Sequence, residues 1–572
     1  MIQYKEKIAE IISAAVKELT LAETLELIEI PADGKMGDYA FPCFRLAKTL
    51  RKAPPVIAKE IAEKIAGNEL FSKVENVNAY VNLFLLREPY MKSVLAEVAD
   101  KREKYGGSEK GKGRKIIVEY SSPNIAKPFH IGHIRSTVIG NSIYKIYDFL
   151  GYDTVRINHL GDYGTQFGKM ICAYRRWGDQ EDVVREPIKT LLSYYIKFHE
   201  EAEKDPALED EARAVFTKLE QGAAEEVALW QWFRDESLKE FNRVYDMLGI
   251  SFDSYAGESF YSDKMGNVLD LLNEKELLQT SEGAQIVDLS EQGLSPALIT
   301  KQDGSTLYIT RDIAAALYRK EHYDFEKNLY IVASQQNLHF QQLIKIVELL
   351  GLEWAKDCVH IPFGLVSLEE GTMSTRQGRV VFLEEVLSRA VEKTKEIVIE
   401  KGVNTDNIDE TARQVGIGAV VFQELANNRI KDYVFSWDKV LNFEGETGPY
   451  VQYTHARIAS VLRNAGEKLV SKALDVADGR MEYITGDSAF ELGQLIYRFP
   501  DVVCEAADKY EPSIITRHIV DVAQAFNRFY HDEHILVDRE EEKLAKLALA
   551  FAAKSVLNNG LSLLGMKAPE KM

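Results

Sequence analysis

The sequence has little that would staple or anchor a chain. Its four cysteines, Cys43, Cys172, Cys358 and Cys504, stand far apart, with no CxxC pair and no Cys/His cluster at zinc-ligand spacing. That argues against a disulfide framework and a structural zinc, and leaves buried, reduced thiols as the expectation. No basic, apolar, small-residue leader opens the chain, and no apolar run of about 18 residues occurs in it. A cytoplasmic protein without a membrane span is expected. Positive charge is also scarce: 70 Lys and Arg against 89 Asp and Glu give a net charge of −19. Taken alone, this speaks against a nucleic-acid partner. The excess is uneven, however. The first 110 residues are balanced in sign, whereas EEAEKDPALEDEAR (200–213) reads as a solvated acidic helical face. Basic surface elsewhere stays open. There is no internal repeat and no low-complexity tract.

What is present is length and alternation. At 572 residues, 46% hydrophobic and 28% charged, the chain is a soluble globular protein of three or four domains, at about 100–200 residues each. Residues 1–110 mix amphipathic helical periodicity (YKEKIAEIISAAVKEL, PPVIAKEIAEKI) with the β-like run AYVNLFLL, a small α+β domain ending in the Gly-rich linker KYGGSEKGKGRK. From 111 to 177 strand and helix alternate (KIIVEY, a helix over about 131–150, TVRINHL, a helix after GDYGTQ), as a parallel nucleotide-binding sheet begins. Residues 178–283 turn helical and charged, an insertion. Between 284 and 404 strands return with AQIVDL, ALITKQDGSTLYIT around a DG hairpin turn, NLYIVAS and VHIPFGLV. From 405 to 572 the β signal vanishes and long amphipathic helices form a bundle. The fold class is α/β: a doubly wound parallel sheet split by an insertion, flanked by an α+β N-terminal domain and an α-helical C-terminal domain.

The segment richest in chemistry is SSPNIAKPFHIGHIRS (121–136), which succeeds an apolar strand and runs into a helix. His130 and His133 lie three apart across the helix start, so both imidazoles can face one ligand, and Gly132 lets that ligand approach the backbone. The helix N-terminus itself favours an anion. A metal half-site and capped core histidines are alternative readings of the same spacing.

HIGH at the first strand-to-helix turn resembles the signature of class I aminoacyl-tRNA synthetases. VEYSSPNIAKPFHIGHIRS, NHLGDYGTQFG, LYITRDIAAALYR, IVASQQNLHFQQ, FEGETGPYVQYTHAR and GMKAPEKM together resemble the arginyl-tRNA synthetases, from about residue 116 onwards, and GDYAFPCFRLAK (37–48) extends the likeness into the N-terminal domain. The resemblance implies a class I Rossmann-type catalytic domain, with HIGH in its first half (111–177) and a KMSKS-like loop in its second (284–404). It implies a connective insertion (178–283), an anticodon-binding helical domain (405–572) and an N-terminal domain (1–110) that meets the tRNA elbow. The implied reaction is activation of L-arginine by ATP to arginyl-adenylate, releasing diphosphate, then transfer of arginine to the 3′-terminal ribose of tRNA(Arg), leaving AMP. Mg²⁺ accompanies ATP, no permanent protein-bound metal is expected, and a monomer is implied.

A guanidinium offers five donors and needs carboxylate acceptors. Tyr308 and Asp312, four apart at a helix start, share one face. By resemblance Asp312 takes the guanidinium, Tyr308 forms the pocket wall and Glu258 is a second carboxylate. Ser122, Asn124 and Gln336 hold the polar groups of arginine, with Asn124 and Gln336 at the α-amino end, while Glu119 and His133 complete that shell. Lys127, His130, Gly132, His133 and Met373 meet ATP, and Lys127, His130, His133, Ser374 and Arg376 carry catalysis. Tyr450 and Tyr453 stack on anticodon bases, and Asn78, Tyr80 and Asn82 meet the elbow. On residue type alone, Ser122 and Asn124 read equally as turn caps, Glu258 as an exposed acid, and Tyr450 and Tyr453 as core.

The KMSKS-like segment GTMSTRQG (371–378) lacks its lysines. Met373 and Ser374 match, but Thr372 and Thr375 stand where the lysines would, leaving Arg376 and Arg379. Many arginyl-tRNA synthetases without the second lysine carry one just before HIGH, as Lys127 does here; an ammonium on a flexible stem reaches the same phosphates from the other side. Two rivals remain: a HIGH-type nucleotidylyltransferase that needs no tRNA, and a retired synthetase that only binds. The helical domain and the Tyr308/Asp312 pair oppose the first, and the intact HIGH, Lys127 and arginine pocket oppose the second.

Overall fold

A computed structural model of the chain describes residues 3–31, 33–302, 307–367, 381–400, 402, 405, 407–440, 445–476 and 480–572. Two compact units result. One gathers Met1–Tyr105, Ile458–Arg498 and Gln524–Val556; the other gathers Gly106–Arg457, Phe499–Ala523 and Leu557–Met572.

In the first unit, strand Tyr80–Leu85 lies between Tyr39–Pro42 and Phe71–Val77, antiparallel to both. Asn78 opens the two-residue hairpin turn with φ +54°, a left-handed conformation that Asn tolerates. Helix Tyr4–Ala15 buries Ile8, Ala9 and Ile12, and helix Pro54–Ile65, with proline in its first turn, buries Ile57, Ile61 and Ile65, the stripes that their periodicity sets. Segments distant in sequence complete this unit. The Asp38 carboxylate accepts from the Leu85 amide and from Gln494, both at 2.7 Å, and the Tyr105 hydroxyl donates to the Ile496 carbonyl at 2.9 Å.

The second unit holds a four-stranded, fully parallel sheet in the order Cys358–Phe363, Lys327–Ala333, Lys115–Glu119, Asp153–Ile157. Ile116, Ile117 and Val118 are wholly buried, as a strand covered on both faces must be. Helix Ile134–Phe149 comes after the first strand, and the strand order reverses between Lys115–Glu119 and Lys327–Ala333. Ligands of open α/β sheets sit in the crevice outside the carboxyl ends of the strands at such a reversal, and here HIGH lies beyond one of the two strands and Ser334–Gln336 beyond the other.

Two expectations are corrected. AQIVDL and ALIT do not join the parallel sheet: Ala284–Val287 and Ala297–Thr300, with Leu278–Ser281, form a separate antiparallel sheet. LYIT is not a hairpin arm, because helix Tyr308–Tyr323 starts there. Ile309, Ile313 and Ala316 recur at helical spacing and bury their side chains, and that period overrides the β-branched local composition. Among the described residues no helix is long and apolar enough to cross a membrane. Cys43, Cys172 and Cys358 are buried free thiols, while Cys504 is only half-buried.

Candidate active site

At the end of the first strand the backbone leaves ordinary conformations. Ser121, Ser122 and Ala126 have φ of +71°, +48° and +58°, a cost that persists only where the surroundings enforce it, commonly at ligand sites. Ser121 is locked by hydrogen bonds to Thr137 and Tyr245, each at 2.8 Å. Ser122 Oγ is buried with no partner among the described residues, and so is left for a ligand. Asn124, exposed, packs its side chain against Gly161, where a Cβ would come within 2.3 Å of its amide oxygen and push the side chain aside.

The two histidines of HIGH come together with ring centroids 4.0 Å apart. The His130 amide donates to His133 Nδ1 and the Gly132 amide donates to His130 Nδ1, each at 3.1 Å. With His130 Nδ1 accepting, that neutral ring carries its proton on Nε2; His133 Nδ1 also lies 3.3 Å from the His130 carbonyl oxygen, and accepting from the nearer amide places its proton on Nε2 as well. Burial lowers His130 to about 4; burial, His130 and Lys127 lower His133 to about 3. These are therefore neutral donors at physiological pH, not cations. Gly132 contributes an amide that fixes His130. Lys127 is half-buried, two residues before Phe129.

The turn is pinned to the chain immediately after the KMSKS-like segment: the Ile131 amide donates to the Val381 carbonyl at 3.1 Å and the Leu383 amide to the Phe129 carbonyl at 2.9 Å. Upstream of that segment, Val366–Ser367 pairs in parallel with Tyr433–Val434. Met373, Ser374 and Arg376, with Thr372, Thr375 and Arg379, lie outside the described residues. Arg135, fully buried as the second residue of the helix, donates to the carbonyls of Gly364 (2.9 Å), Lys431 (2.7 Å) and Asn428 (3.4 Å).

The carboxylates expected for the guanidinium are present and wired together. Asp312 accepts from His339 Nε2 at 2.6 Å, with His159 at 3.9 Å on its other oxygen. Burial would raise the Asp312 carboxyl; His339, His159 and Arg319 outweigh that and hold it below its usual range. Arg319 Nη2 lies 3.4 Å from His159 Nδ1, and its Nη1 meets Glu119 at 2.5 Å, both side chains buried. Glu119, expected to support the substrate shell, is thus the counter-ion of the protein's own Arg319. Glu258 faces Arg311 at 3.4 Å. Burial pushes Glu258 up to about 7 despite Arg311, with Asp312 and Asp162 adding to the rise, so the expected exposed-acid alternative does not hold. Tyr308 is 62% exposed at the first position of its helix, with the Arg311 guanidinium 5.8 Å from its ring centre. Gln336 is exposed just after the third strand.

Sequence alone does not single out His159, His339, Arg311 or Arg319. His159 and His339 sit inside NHLGDYG and NLHFQQ, but nothing in their spacing links them to Asp312; Arg319, seven residues on in the same helix, was the one readable signal. For the outlying assignments, Tyr453 is exposed with Arg457 over its ring at 4.8 Å, and Tyr450 is half-buried in the same helix, Gly448–Ala465. Asn78 is exposed at the hairpin turn, and Tyr80 lies half-buried edge-on to Phe44. Asn82 is buried, because its alternation on the strand points it inward. It does not reach the surface.

Comparison with known proteins agrees with this geometry. Family models match residues 94–437 (tRNA synthetases class I (R), catalytic domain), 451–572 (DALR anticodon binding domain) and 3–85 (Arginyl tRNA synthetase N terminal domain). The arginine–tRNA ligases of Halothermothrix orenii and Clostridioides difficile are 58% and 57% identical over the full length of both chains. Among solved structures, the Thermus thermophilus arginyl-tRNA synthetase superposes with TM-score 0.81 at 24% identity, covering all of both chains. The Plasmodium falciparum arginyl-tRNA synthetase does so with TM-score 0.81 at 25% identity, covering 100% of this chain and 99% of that one. HIGH beyond the first strand of the parallel sheet, Asp312 held between two histidines and matches at this level along the whole chain lead to one conclusion: the chain belongs to the arginyl-tRNA synthetase family.

Proposed function

We infer that the site activates L-arginine with ATP and passes it to tRNA, with a role for each of its residues. The chain is an ATP-dependent ligase: the carboxylate of arginine attacks the α-phosphorus, diphosphate leaves, and a ribose hydroxyl of the tRNA end then takes the arginyl group from AMP. In-line displacement at phosphorus needs its developing negative charge met by fixed donors. His130 and His133 supply Nε2–H donors whose direction the backbone amides set, so no reorientation is needed as charge develops. Lys127 adds a positive charge on a flexible stem, and Met373, Ser374 and Arg376 are assigned to the nucleotide. Mg²⁺ enters the site with the nucleotide. Asp312, kept ionised by His339, receives the guanidinium; Glu258 is its second acceptor and Tyr308 its wall. Ser122, Asn124 and Gln336 hold the α-amino and carboxylate end, with Glu119 and Arg319 behind them. Asn78 and Tyr80 face the tRNA elbow with Asn82 as internal support, and Tyr450 and Tyr453 face the anticodon. We also propose that the segments 1–110, 111–177, 178–283, 284–404 and 405–572 divide the work as elbow domain, first catalytic half, insertion, second catalytic half and anticodon domain, in a monomeric cytoplasmic enzyme.

The observations that carry the reading are the neutral, direction-locked histidine pair and the half-buried Asp312, held ionised by His339 and His159. It is tested by ATP–diphosphate exchange with arginine, with and without tRNA(Arg), beside lysine and citrulline. Arginine-specific exchange is expected; citrulline, isosteric but uncharged, fails for want of a cation. Exchange with another acid and no arginine would favour a nucleotidylyltransferase, and no exchange at all would leave a binding protein.

A further inference from the structure

Away from the active site, the larger unit contains a cavity of about 480 Å³ between the end of helix Ile134–Phe149, the turn at Asp246–Gly249, helix Ile408–Ala426 and Gly565–Ala568. Three cations line it: Lys145, Arg413 and Lys567. Arg413 is held by Glu410 at 2.9 Å. Neither Lys145 nor Lys567 has a carboxylate within 4.0 Å among the described residues, and Asp246 lies exposed at the rim. Gly565, at φ +76°, lets the chain before Lys567 pack closely on the first helix: a Cβ there would lie 2.6 Å from Asn141 Nδ2 and 4.0 Å from Lys145 Cε. Burial and the neighbouring Lys567 disfavour the charge on the half-buried Lys145 and outweigh the support of Asp148.

An unpaired, partly desolvated ammonium is costly, and a second one facing it adds repulsion. In a chain with 19 more acidic than basic residues, gathering both at one hollow makes sense for an anion. The hollow adjoins the helix that carries Tyr453. A Cβ on Gly448 would lie 3.1 Å from Met566 Cε on the cavity wall, and Tyr453 is five residues along, about 7.5 Å of rise. We propose that this cavity holds one backbone phosphate of the tRNA, gripped by Lys145 and Lys567. The inference rests on the tRNA-charging reading above, and it supplies the phosphate contact that the net charge hides.

The test is tRNA(Arg) binding by the full chain as a function of KCl, for wild type and for Lys145→Met, Lys567→Met, the double variant and Lys145→Arg. Each Met variant should bind more weakly, and the double variant, which leaves the phosphate without either lysine, should flatten the log–log salt slope by about 0.7–0.9, the loss of one phosphate contact. Lys145→Arg should behave as wild type. Diphosphate exchange at saturating tRNA should keep its kcat in all four. Wild-type affinity and slope in the double variant would overturn the proposal. So would an effect that Lys145→Arg shares with the Met variants, since that marks packing. If inorganic phosphate raises the melting temperature of wild type but not of the double variant while the tRNA slope is unchanged, the cavity takes free phosphate and the tRNA assignment falls. Failure of wild type to exchange at all is a separate result, against the function itself.

Discussion

Single residues set the charge state of this site, and most of that setting is invisible in sequence. HIGH announces two histidines on one turn, but not that both accept from backbone amides and stay neutral; that depends on turn geometry, which four letters do not specify. Lys127 then becomes the described cation just before the turn in sequence, and Lys127→Ala should slow arginine-dependent diphosphate exchange roughly 10²–10³-fold, as loss of one charge-stabilising donor does, with an unchanged rate removing it from catalysis. Asp312 was legible from its pairing with Tyr308, whereas its partner His339 arrives from another helix. His339→Ala should raise KM for arginine about tenfold, the equivalent of about 1.4 kcal/mol, while kcat stays within about twofold. Glu258 gives a pH signature. Held near 7 when the site is empty, it is protonated below that pH and ionised above it, so KM for arginine should fall as pH rises from 6 to 8, and the slope should vanish in Glu258→Gln. The stability sign is opposite: a carboxyl raised from 4.5 favours the fold below 4.5 and loses that contribution as pH climbs through about 7, so protection by arginine against heating should be larger at pH 8 than at pH 6.

At the level of elements, the active site is an arrangement of posts. The HIGH turn is laddered to residues 381–383, and Val366–Ser367 to Tyr433–Val434, so the chain between them leaves from and returns to fixed points. Arg135 ties the first helix to both neighbouring segments through three carbonyls. Arg135→Met should destabilise by about 3 kcal/mol, the cost of leaving buried acceptors without a charged donor, read as a lower melting temperature with KM for ATP rising in step. A lowered melting temperature with unchanged KM would confine Arg135 to packing. Helix existence was readable here and strand partnership was not. KIIVE and NLYIVA carry the continuous apolar runs IIV and LYIVA, as strands buried on both faces do. AQIV and ALIT carry similar residues, and local composition says nothing about whether such a run pairs in parallel or antiparallel.

For the whole molecule, the α/β alternation and the helical tail after it were enough to place the fold class, because a parallel sheet demands crossovers that leave a visible rhythm. What the rhythm concealed is that compactness ignores chain order: residues 1–105 share a unit with two helical stretches from beyond residue 457. Asp38, Tyr4 and Tyr105 each hydrogen-bond to a residue between 494 and 497. A fragment of residues 1–110 alone should therefore melt without a cooperative transition and exchange its amide protons fast; a sharp transition would show that the small sheet suffices.

The strand order has a consequence in time as well as space. Strand Lys115–Glu119 finds one neighbour at Asp153–Ile157, but the other, Lys327–Ala333, lies about 200 residues further on. At the ribosome's pace of about 5–20 residues per second, the apolar edge of the half-built sheet waits on the order of 10–40 s for its partner. A strand edge of that kind is a template for other chains. The interval between residues 157 and 327 is thus when the nascent chain is most exposed to aggregation, and slowing translation there should lower the soluble yield without altering the activity of the molecules that finish.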